Sequence, residues 1–290
     1  MRGLLRKLWM REDLNFLLTN RIPRIAATRF FGWFSRIEQP WVRDLSIAAW
    51  RSVADLDLSQ ARKRQFRSLH DLFIRELEPG ARSPDPDPQA LASPCDAIVG
   101  ACGPVAGTTV IQAKGFPYTL VDLLGRADLA ERYRDGCYAT LRITANMYHR
   151  FHAPHDMSVR EVIYVSGDTW NVNPVALARV EKLFCRNERA VIPAQLAHNG
   201  DIITLVPVAA VLVASIRLHF ADVLLHLKYR GPNPIACRAT LSKGEEMGWF
   251  QHGSTIVVFA PRGYTLCEGV ASGTIVRAGQ RLMRLPVAVN

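Results

Sequence analysis

One proline- and aspartate-rich stretch, EPGARSPDPDPQALASP from Glu78 to Pro94, divides this sequence into two parts with different patterns of apolar residues. Proline fixes φ and lacks a backbone donor, so no regular element runs through such a segment. Before it, apolar residues recur at helical spacing, and SLHDLFIRELEPG ends at Pro79-Gly80 as a helix should. After it, short β-branched runs alternate with Gly, Pro and Asn turns. The sequence predicts an α+β protein, with a helical region over residues 1–80 and a mainly antiparallel β domain over residues 81–290.

The β domain contains two further patterns. Helices are predicted around Leu120–Tyr133 and Pro174–Phe184. The patches SPCDAIVGACGPV and GVASGTIVRAGQRLM are loosely alike and resemble the strand-turn-strand units of lipoyl- and biotinyl-type barrel-sandwich domains. A carrier domain of that type presents a lysine for its prosthetic group, and neither patch contains one. The likeness therefore predicts barrel-sandwich-like architecture and argues against carrier function.

The positive charge is concentrated near the N-terminus. The formal net charge is +10, and Met1 to Arg51 holds ten basic residues, four acidic residues and four of the six tryptophans. Indole rings and cations interleaved with Leu, Ile and Phe suit helices that lie on an anionic lipid surface. This region is therefore interpreted as a peripheral membrane contact. The alternative is that these helices pack on the rest of the protein and leave their arginines solvated.

No segment of the sequence is predicted to span a membrane. The longest apolar stretch, IITLVPVAAVLVASI from Ile202, is shorter than the ~20 residues of a spanning helix and is valine-rich, so buried strands are predicted there. The N-terminus mixes charges into its apolar residues and lacks a signal-peptide pattern. We therefore expect peripheral attachment to the cytoplasmic membrane from its cytoplasmic side. The six cysteines include no CxxC pair, which favours reduced thiols over disulfides or zinc ligands.

Three histidines lie close together in MYHRFHAPHDM, at His149, His152 and His155. Imidazoles at this spacing could ligate zinc, but no suitably placed further ligand is evident, so an acid/base role is favoured and no metal is expected. Asp96 follows Pro94 in a predicted turn, where an aspartate commonly caps its own backbone. Asp96, one of these histidines and Ser254 would nonetheless supply the orienter, base and hydroxyl of an activated nucleophile.

The dipeptide Gly253-Ser254 allows a second kind of chemistry. A serine hydroxyl can attack the carbonyl of the preceding residue, most easily when that residue is glycine, and the product is an ester. Removal of the serine α-proton then breaks the chain by β-elimination and leaves dehydroalanine, which hydrolyses to an N-terminal pyruvoyl group with loss of ammonia. The tripeptide Gly-Ser-Thr alone is weak evidence for this reaction.

The surrounding motifs are more specific. FIRELEPGARSP, SPCDAIVG, YHRFHAPHD, NVNPVAL, RNERAVIP, VLVASIRL and KGEEMGWFQHGSTIVVF occur in the order seen in the phosphatidylserine decarboxylase proenzymes, and the resemblance covers roughly Phe73 to Phe259. It implies self-cleavage at Gly253-Ser254 into a large chain, Met1–Gly253, and a small chain that begins at Ser254 as the pyruvoyl cofactor. Asp96 and His152 match the residues that form a self-cleavage triad with Ser254. His149 matches the histidine assigned to decarboxylation, and His155 has no counterpart.

The same resemblance implies a phospholipid substrate. The phosphatidylserine amine would condense with the pyruvoyl carbonyl, which accepts electrons as carbon dioxide leaves, and phosphatidylethanolamine would be released without a metal. The two chains would stay together as a heterodimer, which could pair into a dimer of heterodimers. The sequence departs from the family pattern where HGST replaces LGST, SPCDA replaces SPADG and YHRFHAPHDM replaces YHRFHSPVDG. His252 beside the scissile bond is interpreted as a tolerated substitution, with an effect on cleavage rate as the alternative.

Two other functions remain open at this point. Relatives on the same scaffold decarboxylate soluble amino acids, although the basic, aromatic N-terminal region favours a lipid substrate. A non-catalytic protein that binds nucleic acid through its positive charge is the other alternative. No zinc-finger spacing, RNP-like strand or helix-turn-helix signature supports it, so no nucleic-acid partner is expected.

Overall fold

The computed structural model describes residues 12–112, 116–212, 215–251 and 254–286. Gly253, His252 and Trp9 therefore lie outside the described residues. The described part of the chain begins with four helices: α1 Glu12–Asn20, α2 Arg24–Phe34, α3 Pro40–Val53 and α4 Leu69–Phe73. Pro40 occupies the first turn of α3, where its missing N–H costs no hydrogen bond. The Ser68 hydroxyl caps α4 by accepting the Asp71 N–H at 3.2 Å.

Four short helices interrupt the second part of the chain: α5 Leu120–Leu124, α6 Ala127–Arg132, α7 Pro174–Leu177 and α8 Leu183–Arg186. The strands are β1 Ala90–Ala92, β2 Ala97–Pro104, β3 Thr109–Ile111, β4 Pro117–Thr119, β5 Cys137–Ile143, β6 Arg150–His152, β7 Met157–Val165, β8 Arg189–Leu196, β9 Ile202–Val208, β10 Ser215–Leu218, β11 Val223–His226, β12 Ile235–Leu241, β13 Glu246–Phe250, β14 Ser254–Ala260, β15 Thr265–Leu266, β16 Ile275–Val276 and β17 Arg281–Arg284.

These strands form antiparallel sheets. The largest has eight strands in the order β12-β7-β8-β9-β14-β5-β2-β16. A four-stranded sheet has the order β11-β10-β13-β6, a three-stranded sheet the order β1-β17-β15, and β3 pairs with β4. The described chain crosses between the two larger sheets after β5, β6, β9, β11, β12 and β13. The predicted α+β class, with helices first and a mainly antiparallel β domain after them, is confirmed.

The apolar residues gather into two clusters. The larger lies within the β domain and includes Ile256, Val257, Val258 and Phe259 of β14, all fully buried. The smaller belongs to the helical region and is built from Ala61, Phe66, Leu69, Leu72 and Phe73, with Phe31, Ile47 and Trp50 against it. Burial of β14 on both faces matches its unbroken β-branched and aromatic sequence, because a strand covered on both faces needs apolar side chains at successive positions rather than at alternate ones.

The structure corrects the two helices predicted inside the β domain. The segment Leu120–Tyr133 forms two short helices, because Gly125 adopts a left-handed φ of 70° that ends α5. The segment Pro174–Phe184 also breaks into two turns of helix, and Lys182 has a φ of 52° just before α8. In contrast, the valine-rich stretch from Ile202 contributes strands β9 and β10, as predicted.

The two patches that resemble each other in sequence lie side by side. Strands β2 and β16 pair through Ile98 and Ile275, and the backbone N–H groups of Ser93 and Gly279 donate to the carbonyls of Gln280 and Ser93. The C-terminal tail is therefore hydrogen bonded to the segment that carries Asp96. Within the described ranges, no helix is both long and apolar enough to cross a bilayer.

Candidate active site

The predicted cleavage site lies where the chain crosses from one sheet to another. Strand β13 ends at Phe250 in the four-stranded sheet, and β14 begins at Ser254 in the eight-stranded sheet. Ser254 is fully buried, and its hydroxyl donates to the Val208 carbonyl at 2.8 Å. Because β14 pairs with β5 on one side and β9 on the other, the backbone of Ser254 starts a strand held on both edges.

The loop 144–149 contacts both ends of this crossover. Ser254 pairs with Ile143, the residue just before the loop. At the other end, the Phe250 N–H donates to the His149 carbonyl at 3.0 Å. The His149 ring folds back across the loop, where Nε2 lies 3.1 Å from the Thr144 carbonyl. The structure thus brings two of the predicted site residues, Ser254 and His149, to one crossover.

The His149 ring is completely buried and is held against an aromatic side chain. It stacks on Phe73 with ring centroids 5.5 Å apart. Because Nε2 faces a carbonyl, that nitrogen carries the proton and donates it, and Nδ1 keeps its lone pair. Among the described residues, Nδ1 has no hydrogen-bond partner. Burial, together with the nearby charge of Arg75, lowers the pKa of His149 to about 3, so the ring is neutral near pH 7.

Arg75 holds the loop that carries His149. The residue is 6% exposed, and its guanidinium donates to the carbonyls of Asn146 at 3.2 Å and Met147 at 3.0 Å. The Asn146 side chain also donates to the Asp55 carbonyl at 3.0 Å, just after α3. The helical region therefore fixes this loop through Phe73, Arg75 and Asp55.

His152 ends strand β6, and its tautomer follows from its partners. The ring Nδ1 lies 2.9 Å from the Gly244 carbonyl, so Nδ1 carries the proton and donates it. Nε2 is then the acceptor of a hydrogen bond from the Tyr148 hydroxyl at 3.1 Å, and the two rings stack 5.7 Å apart. Burial is the main influence and lowers the pKa of His152. His152 therefore has a neutral ring, and its unprotonated Nε2 already accepts the hydrogen bond from Tyr148.

Asp96 lies between β1 and β2 and is paired with an arginine. Arg82 donates to both carboxylate oxygens, at 2.7 and 2.6 Å, and the Ala278 N–H donates to Oδ1 at 2.9 Å. The Arg82 guanidinium also lies over the Tyr148 ring, 6.0 Å from its centroid. Asp96 thus connects to His152 through a chain of two side chains, Arg82 and Tyr148.

Among the described residues, Asp96 is linked to His152 only through Arg82 and Tyr148, and no hydrogen bond links either of them to Ser254. Among the hydrogen bonds of the described residues, none joins Asp96 to His152 or His152 to Ser254. The His152 N–H does donate to the Pro94 carbonyl at 2.8 Å, which ties β6 to the Asp96 segment. The triad stays a prediction, because the structure pairs each member with another group.

A polar cleft of about 220 Å³ opens onto His152. Its walls include Arg82 and Tyr148, and three carboxylates at Glu76, Glu78 and Glu246. His155 lies elsewhere, buried, with Nε2 2.9 Å from the Pro88 carbonyl, so its contacts account for it structurally. No group of His, Cys, Asp and Glu side chains suited to a metal ion occurs in the part of the chain that the structure describes.

Four residues of this region were not among the predicted site residues: Phe73, Arg75, Arg82 and Tyr148. All four lie inside motifs quoted above, the first three in FIRELEPGARSP and the last in MYHRFHAPHDM. The motifs therefore contained the signal, but only the three-dimensional contacts assign each side chain its partner.

Comparison with known proteins agrees with the motifs. The family model for phosphatidylserine decarboxylase matches residues 69–284. A phosphatidylserine decarboxylase proenzyme from Aliivibrio salmonicida (strain LFI1238) is 33% identical over 287 residues, covering 93% of this chain and 97% of the relative. The protein of the same name from Haemophilus influenzae (strain ATCC 51907 / DSM 11121 / KW20 / Rd) is 32% identical, covering 94% and 96%. The one from Xanthomonas campestris pv. campestris (strain B100) is 35% identical over 245 residues, covering 80% and 84%.

The chain belongs to the phosphatidylserine decarboxylase family. Its match to the proenzymes spans nearly the whole length of those relatives, including the helical region before residue 69. The family membership that the motifs predicted is confirmed.

The Arg82–Asp96 pair generates a stability prediction. Both side chains are 11% exposed, so Arg82→Met leaves a buried carboxylate without its partner and should cost about 3–5 kcal/mol of unfolding free energy. The matched control is Arg62→Met, because the Arg62–Glu76 pair is 62% and 43% exposed and should contribute under about 1 kcal/mol. Urea unfolding in an uncut Ser254→Ala background measures both. Equal losses would contradict a buried ion pair at Asp96.

His149 generates a pH prediction. Its folded pKa of about 3 lies below the unfolded value of 6.5, so the unfolded chain binds a proton first as the pH falls. The resulting stability is complete above pH 6.5 and declines below it, by about 2 kcal/mol at pH 5. In the Ser254→Ala background, His149→Gln should lose about 2 kcal/mol less between pH 7.5 and pH 5, as measured by urea unfolding. Identical losses in the two proteins would show that the ring is not held neutral.

Proposed function

We propose that this chain decarboxylates phosphatidylserine to phosphatidylethanolamine and carbon dioxide, with a pyruvoyl group made from Ser254 by self-cleavage after Gly253. Family membership supports the reaction. The observation that carries the proposal for this chain is the position of Ser254, the first residue of a buried central strand beside the His149 loop.

The surroundings of Ser254 fit a pyruvoyl group. The ladder with β5 begins at Ser254 and the ladder with β9 begins at Thr255, so the strand is held on both edges from its first two residues onward. The unpartnered Nδ1 of His149 is a buried acceptor on the loop next to it. When bound to a substrate amine, a pyruvoyl group supplies an electron sink for the pair released with carbon dioxide.

The triad residues are proposed to act in self-cleavage. His152, with Nε2 unprotonated, would accept the proton of the Ser254 hydroxyl as its oxygen attacks the Gly253 carbonyl carbon. Two contacts must change first, because the hydroxyl donates to Val208 and Nε2 accepts from Tyr148. Asp96 would stabilise the charged His152 ring, and its pairing with Arg82 keeps the carboxylate ionised and in place.

His149 is proposed to act on the substrate in the processed enzyme. Its ring is fixed by the Phe73 stack and by the hydrogen bond to Thr144, so Nδ1 points in one direction. A substrate carboxylate nearby would raise the basicity of Nδ1, so that Nδ1 would take up a proton from solvent as the substrate binds. Nδ1 would then donate that proton to the substrate α-carbon after carbon dioxide leaves, which returns the ring to its neutral form.

The helical region is proposed to bind the membrane peripherally, on the cytoplasmic side of the cytoplasmic membrane. Trp33, Trp41 and Leu45 are 63%, 69% and 66% exposed, which is unusual for large apolar side chains. Together with Phe31 and Trp50 they line an apolar groove of about 600 Å³ between α2 and α3. Arginines along the same helices can meet anionic headgroups.

Cleavage is proposed to leave one heterodimer. The small chain would supply β14, β15, β16 and β17, and β14 would remain between two strands of the large chain, Met1–Gly253. The proposed helical region 1–80 and decarboxylase domain 81–290 would then share the large chain.

Self-cleavage is tested by intact mass under denaturing conditions. Wild-type protein should give two chains that meet at Ser254, the smaller one with a mass shifted to pyruvoyl and without a free amino terminus. Ser254→Ala should remain one chain of 32.4 kDa, because it lacks the attacking hydroxyl. A wild-type protein that stays whole would refute the proposed cofactor.

Membrane attachment is tested by co-sedimentation with vesicles of phosphatidylserine and phosphatidylcholine. The double variant Trp41→Ala/Leu45→Ala should bind at least about tenfold more weakly, because each side chain loses apolar burial in lipid. Ile275→Ala, equally exposed at 68% but on β16, is the control and should bind normally. Equal binding by all three proteins would reject this surface.

Turnover of free serine instead of vesicle phosphatidylserine would favour a decarboxylase of soluble amino acids.

A further inference from the structure

An arginine without a partner lies beside the proposed reaction centre. Arg142 is on β5, directly opposite Thr255 of β14, and the next pair of residues is Ile143 with Ser254. Residues directly opposite in an antiparallel pair project from the same face of the sheet. Arg142 and Thr255 therefore share a face, one residue away from Ser254.

The Arg142 side chain is half-buried, and burial alone lowers its pKa. Within the described ranges it makes no hydrogen bond and no ion pair, and the residues outside those ranges include no Asp or Glu. Each of the other arginines buried in this part of the fold has hydrogen-bond acceptors for its guanidinium, although Arg75 Nε has none among the described residues. Arg189 donates to four carbonyls, Arg75 to three, and Arg82 to the Asp96 carboxylate.

Two hydroxyls on the same face are also unsatisfied. Thr255 Oγ1 and Thr140 Oγ1 are buried and have no hydrogen-bond partner among the described residues. Thr140 lies two residues before Arg142 on β5 and opposite Val257, so its side chain projects from the face that carries Arg142 and Thr255. A buried polar atom without a partner costs free energy, and a cluster of them beside a cation points to a missing anion.

We propose that Arg142, with the hydroxyls of Thr255 and Thr140, binds the phosphodiester of the glycerophospholipid substrate. This inference rests on the proposed function. Only two atoms, the serine Cβ and Oγ, separate the reacting α-carbon of such a substrate from phosphorus. When the substrate amine is joined to residue 254, the phosphodiester is therefore only a few bonds from that residue. The face that carries Arg142 and Thr255 is one residue away. An arginine fork with hydroxyl donors matches the oxygens of a phosphodiester.

The substrate carboxylate is the other anion near residue 254, and it fits this site less well. A decarboxylation removes the carboxylate charge as carbon dioxide leaves, so a cation bound to it would stabilise the ground state more than the transition state. The phosphodiester keeps its charge throughout the reaction. Binding it anchors the substrate without raising the barrier.

The test uses the self-cleaved enzyme and a short-chain phosphatidylserine kept monomeric, so that membrane charge plays no part. Arg142→Gln should raise KM about 10- to 100-fold with little change in kcat, as expected for loss of a charged hydrogen bond made equally in ground and transition states. Arg142→Lys should show a smaller rise, because it keeps the charge but not the fork. The control is Arg160→Gln, which removes the charge of an exposed arginine on β7 and should leave KM unchanged.

Glycerophosphoethanolamine separates the two anions, because it carries the phosphodiester but no carboxylate. Its inhibition constant should weaken in Arg142→Gln by the same factor as KM. An unchanged inhibition constant alongside a raised KM would assign Arg142 to the carboxylate and overturn the proposal.

Stability and self-cleavage complete the test. In the uncut Ser254→Ala background, Arg142→Gln should have a Tm equal to or above that of the parent, because an unpaired, half-buried cation is removed. A lowered Tm with unchanged KM would identify a structural residue and overturn the proposal. If Arg142→Gln is not cut, Thr140→Val serves instead, with an expected rise in KM of about 2- to 10-fold; an unchanged KM there counts against the site. A wild-type enzyme that is uncut or inactive would contradict the proposed function itself.

Discussion

The ladders that β14 makes with β5 and with β9 are the interaction on which the rest of this structure depends. All seven residues from Ser254 to Ala260 are buried, and the strand lies in the interior of the eight-stranded sheet. Ser254 pairs with Ile143 of β5, and the next residue, Thr255, pairs with Val208 of β9, so the strand is held on both edges from its first two residues onward. The chemistry proposed at Ser254 can therefore break the chain on one side of that residue without moving it.

The helical region is joined to the same site by direct contacts. Trp50 of α3 packs edge-on against Phe73 with ring centroids 5.0 Å apart, and Phe73 stacks on His149. Trp50 also lines the apolar groove between α2 and α3. One row of aromatic rings thus runs from the proposed membrane-binding surface to the proposed catalytic histidine. A shift in the position of α3 would therefore move Phe73 and, through it, the His149 ring.

Much of this could be predicted from the sequence, because local patterns determine it. The division at Glu78–Pro94 separated the N-terminal helices from most of the strands, although β1 forms within it at Ala90–Ala92. The helix predicted to end at Pro79-Gly80 ends at Phe73 instead. The unbroken run after Ser254 correctly indicated a buried strand. The helix around Leu120–Tyr133 was predicted too long, because tertiary structure uses Gly125 in a left-handed turn. The two similar patches could be seen, but not that β2 and β16 would pair.

The candidate site shows the same division. Motifs supplied Asp96, His149, His152 and Ser254, and the structure places the last three on or beside the crossovers between the two larger sheets. The partners of these residues were not predictable, because Arg82 reaches Asp96 and Gly244 reaches His152 through folding of distant segments. Arg142 had no motif at all. Arg142 is distinguished by the lack of a hydrogen-bond or ion-pair partner among the described residues. That lack can be observed only when the three-dimensional surroundings of the side chain are known.

The interleaving of β14 also determines how the mature protein would fail. The precursor folds as one chain, so the 37 residues from Ser254 to Asn290 reach the middle of the sheet while still tethered to the rest. If the tether is cut as proposed, unfolding would release that segment into solution, and its return would become a bimolecular event into a sheet that has lost a central strand. The processed enzyme would then persist through a slow rate of unfolding rather than through an equilibrium with its unfolded form.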